Sequence, residues 1–202
     1  MAKIKVVYIA SNGRSGSTLL EILLGRHHKG FAIGEFHLLP FDFNNNNQPC
    51  GCGESVSNCD FWKKVVSDDI DIVNHPLFTL FREEYGKGKI LRLNYIKSIF
   101  LKCEYFKICA KAKNDMYMNL NYQLFKNVLR HTSTLKNKPR FIIDSSKDLY
   151  RLLLLSCSDK IDLRVIHLTK SPEAYVFGAI KKTTGLRKSV LTIRMSIRWI
   201  VE

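Results

Sequence analysis

Residues 3–24 read KIKVVYIASNGRSGSTLLEILL. Lys3 to Ala10 is a short apolar run rich in β-branched residues, Ser11 to Thr18 is dominated by Ser and Gly, and Leu19 to Leu24 is an apolar helical stretch. The order predicts strand, loop, helix. In such a unit the loop N–H groups and the first helical turn form a concave positive site, and Gly13 and Gly16 let the backbone approach an anion. Residues 11–18 are therefore a candidate anion cradle. A Walker-type loop needs G-x-x-x-x-G-K-[ST], but Ser11 stands where the first Gly belongs and Ser17 where the Lys belongs. Without that Lys beside a magnesium-holding hydroxyl, γ-phosphoryl transfer lacks a main charge-neutralising part. The loop suits a different phosphate-bearing donor.

Further along, Phe31 to Ile33 predicts a second short strand ending at Gly34-Glu35, and Asn44 to Asn47 predicts a loop, because four consecutive Asn favour local turns. From Asn94 to His131 the apolar spacing predicts two amphipathic helices. Arg140 to Asp144 then predicts a strand, Lys147 to Cys157 a helix and Leu163 to Leu168 another strand. Ser171-Pro172-Glu173 supplies an N-cap, a first-turn proline and a first-turn acid for the next helix. Strands alternating with helices indicate an α/β fold with a parallel sheet, and neither an internal repeat nor a linker divides it. Glu35, Lys147 and Lys170 taken singly read as surface charges. Their positions at successive strand ends matter, because open parallel sheets bind ligands beyond their carboxyl edges.

Composition agrees with one globular domain: 202 residues, 46% hydrophobic and 25% charged, with 11 Gly and 5 Pro. Disordered, collagen-like and fibrous classes are excluded, and no window approaches the roughly 20 apolar residues of a membrane span. Lys and Arg exceed Asp and Glu by 32 to 18, a net charge of +14, which favours anionic partners. Between Gly86 and Arg140 thirteen Lys and Arg meet two acids, Glu104 and Asp115, so this stretch alone carries +11. The N-terminus lacks the apolar core and cleavage site of a signal peptide, and a cytoplasmic protein is expected.

Of six Cys, three cluster as Cys50-x-Cys52-x₆-Cys59, which in an intracellular chain suggests thiols or a metal before disulfides. A zinc site would need a fourth ligand, and His37, His75 and Cys103 are not marked out by spacing. The plainer reading is buried or loop thiols beside Phe61 and Trp62. His27 and His28 close the first helix, where a cation suits the C-terminal dipole.

The stretch GRSGSTLL, residues 13–20, resembles the phosphosulfate-binding loop of sulfotransferases that use 3′-phosphoadenosine 5′-phosphosulfate (PAPS). The resemblance assigns Gly13, Arg14, Ser15, Gly16, Ser17 and Thr18 to cofactor binding. Gly34-Glu35 is similar to the tyrosylprotein and bacterial branch, which makes Glu35 the implied catalytic base. Asp144-Ser145-Ser146-Lys147-Asp148 resembles the strand-end segment of bacterial members, and Lys147 joins Arg14 as an implied catalytic cation. The CGCG and CDFW segments between Cys50 and Trp62 are also similar to those members. The family's second cofactor motif, Arg-Asp-Pro-Arg with a Ser eight residues after its first Arg, is matched incompletely by Lys170-Ser171-Pro172-Glu173 and Gly178. Lys170 keeps a cation without guanidinium geometry, Gly178 lacks the hydroxyl, and Glu173 has a plain role at a helix start.

The resemblance implies a P-loop-like three-layer α/β fold with a central parallel sheet and a basic helical insertion between Gly86 and Lys138. It implies transfer of a sulfuryl group from PAPS to an acceptor hydroxyl on a glycan, lipid, peptide or small molecule. No metal, nucleic acid or membrane span is required. Family members generally continue further than Ile200-Val201-Glu202, which implies that the chain lacks the C-terminal part of the family fold. Two alternatives stand beside this: a P-loop small-molecule kinase, and a truncated non-catalytic module binding nucleotides or polyanions.

Overall fold

The computed structural model describes residues 3–45, 48–68, 74–75, 112–133 and 138–180. The opening strand, β1 (Ile4–Ser11), leads into α1 (Ser17–Gly25) and β2 (Gly30–Ala32). A one-turn 3₁₀ helix (Phe36–Leu38) continues into α2 (Leu39–Asn45), and α3 spans Asp60–Ser67. Then come α4 (Ala112–Thr132), β3 (Phe141–Asp144), α5 (Leu149–Ser156), β4 (Ile161–Leu168) and α6 (Pro172–Ile180).

The four strands form one parallel sheet in the order β2-β3-β1-β4. Because side chains alternate along a strand, β1 feeds two layers. Ile4, Val6, Tyr8 and Ala10 enter the main core with Leu124, Phe125 and Val128 of α4, Leu154 and Leu155 of α5, and Trp62, Val65 and Val66 of α3. Ile9 and Ile143, out of phase with that set, are fully buried on the opposite face. There α1 packs so closely that a Cβ on Gly25 would stand 2.9 Å from the Ala32 Cβ, and Ala32 is the register partner of Ile143. Helices thus cover both faces of a central parallel sheet.

Beyond β1 the chain turns toward β2, and beyond β3 it turns toward β4. The order therefore reverses between neighbouring β1 and β3, where open α/β sheets offer a crevice. All four strands point the same way, so the segments after Ser11, Ala32, Asp144 and Leu168 emerge on one edge.

Several boundaries differ from expectation. Lys147 lies outside the helix expected to start with it: Asp148 is the N-cap, its Oδ1 accepting from the Arg151 N–H at 2.9 Å, and Lys147 itself has φ 60°. Asn44 and Asn45 close α2 instead of belonging to a loop. The second of the two helices expected over residues 94–131 is the single α4, whose Tyr117, Met118, Asn121, Leu124, Phe125 and Val128 form its buried stripe. The first falls outside the described residues, as does most of the Gly86–Lys138 insertion. β4 begins two residues earlier than expected, at Ile161. Among the described residues no helix is long and apolar enough to cross a membrane.

Candidate active site at the carboxyl edge of the sheet

The loop between β1 and α1 has the backbone of an anion cradle. Arg14 at φ 63° and Gly16 at φ 97° are left-handed, and Gly16 caps α1 without a side-chain hydrogen bond. Alternating backbone of this kind turns successive N–H groups toward one point. A Cβ on Gly13 or on Gly16 would meet nothing within 4 Å, so the space beside both is open. Ser11 Oγ and Ser15 Oγ are buried without a hydrogen-bond partner among the described residues. Buried hydroxyls are ordinarily satisfied, so two orphans at one loop leave hydrogen-bonding capacity there open to a polar partner.

From the neighbouring strand end, Lys170 Nζ donates to the Arg14 carbonyl at 3.3 Å. A Cβ on Gly178 would lie 3.7 Å from that ammonium, so position 178 does face Lys170 although it offers no hydroxyl. The α6 start agrees with expectation, since Ser171 Oγ accepts from the Ala174 N–H at 3.3 Å.

On the other side of the crevice, Lys147 Nζ donates to Glu35 Oε1 at 2.5 Å. A buried network behind the pair fixes both. Asp144, wholly buried at the end of β3, accepts from the Ser146 N–H at 2.9 Å, from the Ser146 hydroxyl, and from Arg151 Nη2 at 2.8 Å and Nε at 3.3 Å. Arg151 also donates to Tyr117 Oη at 3.0 Å and to Asn121 Oδ1, and its guanidinium lies 5.7 Å from the ring centroids of both Phe36 and Phe125. Burial opposes the Arg151 charge, but Asp144, Tyr117 and Tyr8 outweigh it and hold the guanidinium ionised. Tyr8 Oη donates to the Asp148 carbonyl at 2.7 Å and accepts from its N–H at 3.0 Å. Burial, reinforced by Asp144, pushes the Tyr8 phenol well up and keeps it neutral. The segment carrying Lys147 is therefore pinned at Ser146 and Asp148, and Lys147 between them takes a left-handed backbone that a side-chain-bearing residue adopts at a cost.

Glu21 of α1 ties the two halves together. Its Oε1 accepts from the Gly34 N–H at 2.5 Å and its Oε2 from the Ser145 hydroxyl at 2.5 Å, while the Ser145 N–H donates to the Gly34 carbonyl at 3.0 Å. Burial raises the Glu21 carboxyl above its ordinary range, partly offset by these two hydrogen bonds. One helix that opens with the cradle thus fixes the residue before Glu35 and the segment leading to Lys147. His37 adds a half-buried imidazole: its backbone N–H donates to Ser146 Oγ at 3.2 Å, its buried Nδ1 has no partner among the described residues, and desolvation and Arg151 lower its pKa.

Sequence reasoning selected Arg14, Glu35, Lys147 and Lys170 but missed Glu21, Asp144, Arg151 and His37. Glu21 carried a signal, a lone acid inside the apolar run LLEILL. The buried Asp144–Arg151 pair carried none, because its other partners, Tyr117 and Asn121, come from a distant helix. Cys50, Cys52 and Cys59 are free thiols, as expected, whereas Cys157 is disulfide-bonded, against the expectation of thiols. No protein-family model, curated protein or solved structure matches the chain.

Proposed function

We propose that the chain is a PAPS-dependent sulfotransferase that moves a sulfuryl group to an acceptor hydroxyl. The observation that carries the reading is the Glu35–Lys147 contact at 2.5 Å, a base and a cation at the ends of β2 and β3 beside the cradle that follows β1. The Ser15 to Thr18 N–H groups receive the 5′-phosphate, and Lys170, on the far side of Arg14, serves the nucleotide's second phosphate. Arg14 and Lys147 counter the charge that grows on the bridging oxygen as its bond to sulfur breaks. Glu35 takes the proton of the acceptor hydroxyl as the new sulfur–oxygen bond forms, and 3′-phosphoadenosine 5′-phosphate departs.

The contact also supplies an order of events. Before the donor arrives, Lys147 is held by Glu35. The donor's charge draws the ammonium toward the bridging oxygen and leaves the carboxylate to the hydroxyl. Positioning and electrostatics carry most of such a transfer, so a rigid scaffold behind Lys147 suits it.

Calorimetry with 3′-phosphoadenosine 5′-phosphate tests the cofactor without knowledge of the acceptor. Binding that survives raised ionic strength and weakens at least tenfold for adenosine 5′-phosphate is the expected result. Equal binding of the two nucleotides would remove the role given to Lys170. Stronger thermal protection by ATP with magnesium would favour a kinase, and collapse of binding with salt would favour a polyanion module.

A further inference from the structure

Gln48 to Cys59 forms a small knuckle whose backbone is fixed independently of the sheet. Pro49 bridges Ser55 in antiparallel fashion, the Cys50 N–H donates to the Glu54 carbonyl at 2.7 Å, and the Gly53 N–H donates to the Cys50 carbonyl at 2.9 Å. Gly53 supplies the left-handed turn at φ 96°. The Val56 N–H reaches the Gln48 carbonyl at 3.1 Å, and Cys59 caps α3 with its own N–H on the Ser55 carbonyl at 2.9 Å. This folding brings the sulfurs of Cys50, Cys52 and Cys59 within 4.8 Å of one another, with Cys50 and Cys59 at 3.5 Å.

Core packing explains only one of the three. Cys59 is buried, but Cys50 is half-buried and Cys52 is exposed, so burial gives no reason for Cys52 to join the cluster. A Cys50–Cys59 disulfide would likewise leave Cys52 without a role, and the thiols are free. A metal uses all three. Tetrahedral zinc with zinc–sulfur bonds of about 2.3 Å sets its sulfurs about 3.8 Å apart, a spacing this cluster reaches if separations change by no more than about 1 Å.

We propose that Cys50, Cys52 and Cys59 hold one zinc ion as three thiolates, and that the ion fastens the knuckle to the start of α3. Among the described residues no fourth His, Cys, Asp or Glu belongs to the cluster, so a solvent molecule or a ligand from elsewhere completes the coordination on the exposed Cys52 side. Zinc is the choice because thiolates select soft cations and zinc needs no redox partner. The site is structural. Just beyond Cys59, Phe61 meets Phe31 of β2 at 5.0 Å between centroids, and Trp62 meets Phe36, next to Glu35, at 6.1 Å. The metal thus clamps the layer on which the Glu35 segment rests, and it does not depend on the sulfotransferase reading.

The full chain, purified under reducing conditions without chelator, should contain one zinc per molecule. Cobalt(II) should replace it with thiolate charge-transfer and tetrahedral ligand-field bands that zinc abolishes. Cys52→Ser, at an exposed position that leaves the core intact, should weaken cobalt binding at least tenfold, and a chelator should lower the melting temperature of the parent but not of Cys52→Ser. Absence of thiolate–cobalt bands, or a Cys52→Ser protein that binds cobalt as tightly as the parent, would overturn the site. So would a Cys50–Cys59 disulfide in metal-free protein that adding a reductant and zinc fails to convert.

Discussion

Two of the residues assigned to the chemistry, Arg14 and Lys147, share a backbone feature no sequence motif reveals: both are left-handed without being glycine. Such strain persists where surrounding contacts over-determine the chain, and it gathers at functional sites. For Lys147 the contacts are those of Ser146 and Asp148. Under the proposed function, this separates the catalytic role given to Lys147 from its structural one. The Lys147–Glu35 pair is partly exposed, so breaking it should change stability by no more than about 1 kcal/mol. Lys147→Ala should nevertheless slow sulfuryl transfer by roughly 10²–10³. Lys147→Gly should be as slow but about 1 kcal/mol more stable than Lys147→Ala in urea denaturation, because Gly accepts the left-handed backbone. Asp144 behaves oppositely. Asp144→Ala leaves the Arg151 guanidinium buried and unpaired, a loss of about 3–5 kcal/mol. Denaturation curves should show a much smaller loss for Asp144→Leu combined with Arg151→Met, which removes the charge instead of orphaning it.

At the scale of elements, α1 does more than follow the cradle, because Glu21 locks the β2 and β3 exits to each other. Its carboxyl is raised in the folded state above the ordinary 4.5. A raised acid contributes stability that is present below the unfolded value and lost as pH rises through the folded one. The stability of the parent relative to Glu21→Gln should therefore be greatest near pH 4 and should decline as the pH is raised toward 7. Urea denaturation of both proteins across that range measures the difference, and a constant gap would mean that the carboxyl is not raised. The same helix shows what was legible. Its apolar run announced a helix but not which side it buries: Leu19, Ile22 and Leu23 are exposed and the acid is buried, so hydrophobicity marked the element without assigning its faces. The start of α5 was misread for a related reason: Lys147 is a good helix former, but the Asp148 cap and the Tyr8 hydroxyl decide where the helix begins.

For the whole molecule, alternation of strand and helix in the sequence was enough for a parallel α/β sheet, and it placed Ser11, Glu35, Lys147 and Lys170 near strand ends. The strand order was not legible, because nothing local in β3 specifies insertion between β2 and β1. That order brings the Lys147 segment beside the cradle. It also turns the +14 charge from a general property into a testable one. If affinity for a doubly phosphorylated nucleotide came from diffuse positive charge, adding salt would screen it, since the Debye length falls from about 10 Å at 0.1 M to about 3 Å at 1 M. A cradle of fixed N–H groups, orphan hydroxyls and Lys170 acts within contact distance and is screened less. Melting should therefore be followed with and without 3′-phosphoadenosine 5′-phosphate at low and high salt. A ligand at 100 times its dissociation constant stabilises the fold by about 2.7 kcal/mol. With the nucleotide kept near that excess over its low-salt dissociation constant, a shaped site should retain more than half of the stabilisation at 0.5 M salt. Lys170→Ala should reduce it at both salt concentrations. Loss of the stabilisation at high salt in the parent protein, with Lys170→Ala indistinguishable from it at low salt, would assign the binding to the basic surface and not to the edge of the sheet.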